Sequence, residues 1–125
     1  MAERGRIGRL FSALLWSALM IAASSIPSVP HRAAPLLHYD KILHAVEYGL
    51  FAWLWWGVLR DSKRPALRRR AWFWVAVVGL LWAAGDEMVQ GTIGRSRDPF
   101  DFLADAIGIA AALWIRERRS RGRGG

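Results

Sequence analysis

Four stretches of the chain are apolar over most of their length, and three of them carry polar groups at one end. They are LFSALLWSALMIAASSI (10–26), ILHAVEYGLFAWLWWGVL (42–59), AWFWVAVVGLLWAAG (71–85, extendable to Gln90) and FLADAIGIAAALWI (102–115). None has the polar face of a soluble amphipathic helix. The first three approach the roughly 20 residues that cross a bilayer. The fourth, at 1.5 Å per residue, reaches only about 21 Å and must start from Pro99 or Phe100 or in a protein-lined pocket. The pattern predicts an all-α transmembrane bundle of four helices, about 10–26, 41–59, 71–90 and 100–115. These form one domain over 10–115, between a basic tail at 1–9 and a disordered basic tail at 116–125.

The connections read differently from one another. RDSKRPALRRR, with Pro65 and dense charge, predicts a short solvated turn. IPSVPHRAAP has three prolines in ten residues, which predicts an extended, restrained loop. The first stretch has a rival reading. Arg4, Arg6 and Arg9, an apolar run and then AASS resemble a secretory signal peptide with a small-residue cleavage site. The sequence does not decide whether this segment is kept.

Composition sharpens the membrane reading. Hydrophobic residues make up 54% of the 125, eight are Trp, and there is no Cys, so disulfides and thiolate chemistry are excluded. The net charge of +8 suits either a nucleic-acid binder or a membrane protein with basic cytoplasmic loops. Placement decides. Of 18 Lys and Arg, 14 lie in the N-terminal tail, the 60–70 link and the tail after Ile115. Each basic run abuts a helix end, which suits topology and contact with membrane lipids. No nucleic-acid recognition motif accompanies them, and no nucleic-acid partner is expected. By the positive-inside rule both termini and the 60–70 link are cytoplasmic, and loops 27–41 and 91–100 face outward. Trp55, Trp56, Trp72, Trp74 and Trp114 then form an aromatic belt at the cytoplasmic interface. A cysteine placed at Arg68 of this Cys-free chain should resist an impermeant thiol reagent in intact cells. Labelling from outside would reverse the orientation.

Seven of the ten acidic residues fall at or near the outward ends of helices: Asp40, Glu47, Asp86, Glu87, Asp98, Asp101 and Asp105. Lys41, His44, Tyr48, Gln90, Arg95 and Arg97 join them. Asp40, His44 and Glu47 or Tyr48 share a helix face, as do Asp86 with Gln90, and Asp101 with Asp105 and Gly108. Gly108 would let a second helix come close. Asp40 and Asp101 stand where helix starts favour negative charge. Facing lipid would cost several kcal/mol per ionised group, on the order of 3 at the bilayer centre, so these faces should turn inward around a polar, outward-opening pocket.

The ordered set resembles the VanZ-like family of small bacterial membrane proteins. Its pattern is Asp-Lys-x-x-His-x-x-x-Tyr at the start of one helix, then Glu-x-x-Gln, an Arg, and spaced Asp residues before a Gly. Here these fall on Asp40, Lys41, His44 and Tyr48; on Glu87 and Gln90; and on Arg95, Asp98, Asp101 and Gly108. The match spans about residues 40–115. One departure is Asp105, where many family members have Asn. The resemblance implies a multi-pass protein of the bacterial inner membrane. The family takes its name from a teicoplanin resistance factor, so antibiotic resistance and the cell envelope come with it, but no reaction does.

Three functional readings follow. The first binds a cell-envelope ligand or lipid headgroup through Asp40, Lys41, His44, Tyr48, Asp86, Glu87, Gln90, Arg95, Asp98, Asp101 and Asp105. The second is a membrane-embedded enzyme acting on an envelope lipid, with His44 and Asp40 as general base and Glu87 or Asp101 as acid. The third is a structural polar cluster, with Arg95 clamping Asp101 or Glu87. Asp40, His44, Asp86, Glu87 and Asp101 have the donor types for a hard divalent ion, but the sequence assigns no metal site and no cofactor. Ser96 has Arg neighbours rather than a base, so no nucleophilic triad is indicated. The binding reading is preferred, because helix pairing needs fewer ionisable groups than this.

Overall fold

The computed structural model describes residues 2–25, 36–93 and 98–124. They form α1 (Ala2–Ser24), α2 (Leu36–Arg60), α3 (Pro65–Arg69), α4 (Ala71–Thr92) and α5 (Pro99–Gly122). No strand occurs among the described residues. The segments Glu3–Ser24, Asp40–Arg60 and Ala71–Thr92 are each long and apolar enough to cross a membrane. With α5 they make the four long helices expected from the hydropathy pattern.

The boundaries differ at four places. The α1 helix begins at Ala2, so the basic N-terminal tail is helical. The 60–70 link is more than a turn, because α3 starts on Pro65, which lacks only an N–H that the first helical turn leaves unpaired. The α2 helix begins at Leu36, which puts Asp40 in its second turn rather than at its start. Most notably, α5 does not end at Ile115 but runs to Gly122. The tail expected to be disordered is therefore helical through residue 122. It is held by contacts with α2. Arg116 donates to the Trp53 carbonyl at 3.0 Å, and the Trp56 indole donates to Glu117 at 2.8 Å. The Arg116 guanidinium also lies 4.2 Å from the Trp53 ring centroid, a cation–π arrangement. The IPSVPHRAAP loop lies outside the described residues.

The α2 helix is the centre of the bundle. Against α5 it packs backbone to backbone: a Cβ built on Gly108 would sit 2.0 Å from the Ala45 carbonyl oxygen, and one on Gly49 would lie 3.3 Å from the Gly108 carbonyl oxygen. Small residues permit this approach, as the spacing of Gly108 behind Asp101 and Asp105 suggests. On the α4 side, Gly79 lies under Ile109 and Phe51. Tyr48, Phe51, Ala52, Val75, Ala83, Ile109 and Leu113 fill the space between α2, α4 and α5. The α1 helix is fastened to α2 by two indoles. Trp16 donates to the Glu47 carbonyl, and Trp55 donates to the Ser17 hydroxyl, both at 3.0 Å. Large apolar side chains such as Leu43, Leu81, Met88, Ile107 and Trp114 point outward. Such wide apolar exposure is what a lipid-facing surface requires and a soluble domain avoids.

A polar cluster at one end of the bundle

Asp98, rather than Asp101, caps α5: its side chain accepts from the Phe100 N–H. Pro99 follows at the first helical position, where proline is tolerated. This start places Asp101 and Asp105 one turn apart on the face that meets α2. The close contact at Gly108 lets that face reach Lys41 and His44.

Lys41 bridges two turns of α5. Its ammonium lies 2.6 Å from Asp98 Oδ2 and 2.5 Å from Asp101 Oδ1. The Lys41 ammonium beside Asp98 holds its carboxyl below the usual carboxylate range, helped by the Phe100 N–H. One turn deeper, His44 Nδ1 meets Asp105 Oδ1 at 2.9 Å. Asp105 is 1% exposed and His44 8%, so each depends on the other for its hydrogen bond. Asp101 Oδ2 lies 3.9 Å from His44 Nε2, beyond hydrogen-bond reach. Asp40 approaches the same edge: oxygens of Asp40 and Asp101 and a ring nitrogen of His44 all lie within 4.8 Å of one another.

A second group joins α2 to α4. The Tyr48 hydroxyl and the Gln90 amide both donate to Asp86 Oδ2 at 3.3 Å. Glu87, half-buried on the next position of α4, has Asp101, His44 and Asp105 as charged neighbours and the Asp98 backbone beside it. Asp86 also closes one side of a cleft of about 330 Å³ between α1 and α4, walled by Ile21, Trp82 and Val89 with Ser24 and Ser25 at its rim.

The structure therefore brings Asp40, Lys41, His44, Tyr48, Asp86, Glu87, Gln90, Asp98, Asp101 and Asp105 to one end of the bundle. Arg95, Arg97 and Ser96 lie outside the described residues, and so does the clamp expected of Arg95. One expected pairing changes. The orienting partner of His44 is Asp105, from the facing helix, and not Asp40, from its own. The cation that grips Asp101 among the described residues is Lys41. Ser24 and Ser25, which in the sequence suggest a cleavage site, line the same cleft as Asp86; that depends on the packing of α1, which periodicity does not encode.

Chemically, the α2–α5 half offers an imidazole with one nitrogen fixed and the other free, flanked by two carboxylates. Such an edge can accept a proton, bind an amine or hold a cation. A family model described as VanZ/LLP1 matches residues 6–117. No curated protein and no solved structure matches the chain.

Proposed function

We propose, since the chain belongs to the VanZ/LLP1 family, that it is an inner-membrane protein whose outer-end polar cluster binds a cell-envelope ligand or lipid headgroup and contributes to teicoplanin tolerance. The observation that carries this reading is the His44 edge. Asp105 holds Nδ1 at 2.9 Å, while Nε2 has no hydrogen-bond partner among the described residues and lies 3.9 Å from Asp101 Oδ2, with an Asp40 oxygen within 4.8 Å of a ring nitrogen. A brace between helices needs only the Nδ1–Asp105 contact; Nε2, which is not among the buried unpartnered atoms, is left accessible at the polar edge. The cleft beside Asp86 supports a route for a lipid headgroup, because apolar walls lead there to a carboxylate.

The same dyad favours a second reading, an enzyme acting on an envelope lipid. A carboxylate that orients a histidine through Nδ1 leaves Nε2 positioned as a general base. Both readings separate from a purely structural one by the same variants. His44→Gln and Asp40→Asn should accumulate and melt like wild type while teicoplanin tolerance or ligand retention is lost. The check is the minimal inhibitory concentration together with membrane protein level. Full tolerance in both variants, with loss confined to proteins that fail to accumulate, would leave only the structural role.

A further inference from the structure

We propose that Asp40, His44 and Asp101 form a site for one divalent transition ion, with zinc(II) as its best occupant. The proposal rests on reading this cluster as a binding site rather than a brace. The three side chains each present one ligand atom, and these atoms lie within 4.8 Å of one another. Ligands at about 2.0–2.2 Å from a zinc ion must draw closer than this, and rotation of two carboxylates at helix ends accomplishes it. The independent observation is the histidine. It is 8% exposed, so burial and packing fix its ring. Its Nδ1 is committed to Asp105 at 2.9 Å. A carboxylate accepts, so Nδ1 carries a hydrogen and Nε2, 3.9 Å from Asp101 Oδ2, is the nitrogen left for an ion, which would take the place of any proton there. A metal-ligating histidine is commonly held this way, its second nitrogen bonded to a carboxylate that fixes the tautomer and raises its basicity.

The neighbours fit as well. Asp101 divides its two oxygens: Oδ1 goes to Lys41 at 2.5 Å and Oδ2 lies toward His44. Lys41 thus holds the carboxylate in place without occupying the oxygen that would bind an ion. A divalent ion neutralises the charges of Asp40 and Asp101, which lowers the cost of holding two carboxylates side by side at this end of the bundle. One nitrogen and two oxygens with a further position open is the donor set of a zinc site that also takes water or a ligand. Asp86 and Glu87 stand outside this set, Asp86 being engaged by Tyr48 and Gln90.

The test uses the full chain in detergent, purified without a polyhistidine tag, stripped with chelator and titrated with zinc(II) against a chromophoric chelator. Cobalt(II) absorption reads the coordination directly. Wild type should bind one equivalent and give the intense visible bands of a low-symmetry cobalt site. His44→Gln and Asp101→Asn should weaken zinc at least 10-fold and lose those bands. Asp40→Asn should do the same, and its half-buried position makes it the variant least able to disturb folding. Asp61→Asn, at the opposite end of the bundle, should bind as wild type. Wild type without a stoichiometric site, or Asp40→Asn and His44→Gln binding as wild type does, would overturn the proposal. Failure of the metal site is distinct from failure of the envelope-ligand reading. Lost tolerance in His44→Gln without zinc binding by wild type overturns the metal alone. Zinc binding by wild type with full tolerance in His44→Gln upholds the metal and overturns the envelope-ligand reading.

Discussion

Gly108→Ala should prevent the close packing of α2 on α5 and sharply reduce accumulation of the folded protein. The added Cβ would lie 2.0 Å from the Ala45 carbonyl oxygen and 2.8 Å from its carbon. Both are backbone atoms, so no rotamer change relieves the clash and the helices must move apart. Overpacking typically costs about 1–3 kcal/mol, and a clash of backbone with backbone lies at the upper end of that range. The separation would also reach the polar end, because Ala45 follows His44 and Gly108 lies one turn below Asp105. Thermal unfolding in detergent should show a lower midpoint for Gly108→Ala. Gly85→Ala is the comparison: a Cβ there meets nothing within 4 Å, and alanine favours helix over glycine. Equal melting of Gly108→Ala and wild type would mean that the two helices do not touch as described.

Asp105→Ala should be nearly as damaging, and Asp105→Asn should not. Asp105 is 1% exposed and accepts from a histidine that is itself buried. Alanine leaves the His44 N–H without an acceptor and opens a cavity beside it, for a loss of about 1–3 kcal/mol from the unpaired group. Asparagine keeps a carbonyl oxygen at the same reach and can accept the same hydrogen bond. The measurement is the melting midpoint and membrane level of the two variants side by side. Equal loss in both would show that the negative charge, rather than the hydrogen bond, stabilises the pair.

The helices and the membership of the cluster were legible in the sequence; the pairings were not. Apolar length alone marks α1, α2 and α4. Helical spacing alone predicts that Asp86 lies beside Gln90 and that Asp101, Asp105 and Gly108 share a stripe. Spacing describes one helix at a time, however. Whether His44 meets Asp40 or Asp105 depends on the vertical register of α2 against α5, and that register is set where Gly108 meets Ala45. The same holds for Lys41, whose place in the cluster is legible but not its pairing with Asp98 and Asp101: nothing in DKILHAVEYG says which carboxylates a facing helix will bring. The end of α5, at Gly122 rather than Ile115, has a different cause. A rule built on hydropathy stops a helix where charge begins, but the backbone needs no hydrocarbon to stay helical. Arg116 and Glu117 continue it because Trp53 and Trp56 offer them partners.

The distance along the chain between these partners has a consequence for biosynthesis. His44 and Asp105 are 61 positions apart, and Lys41 and Asp101 are 60. At 5–20 residues per second, α5 emerges from the ribosome about 3–12 s after α2. Through that interval the insertion machinery holds a helix one end of which carries Asp40, Lys41 and His44 with no carboxylates from α5 to meet. Groups at the end of an apolar span make that wait tolerable, since the same groups at mid-span would oppose insertion. The placement of the polar residues at helix ends thus suits the newborn chain as well as the finished bundle.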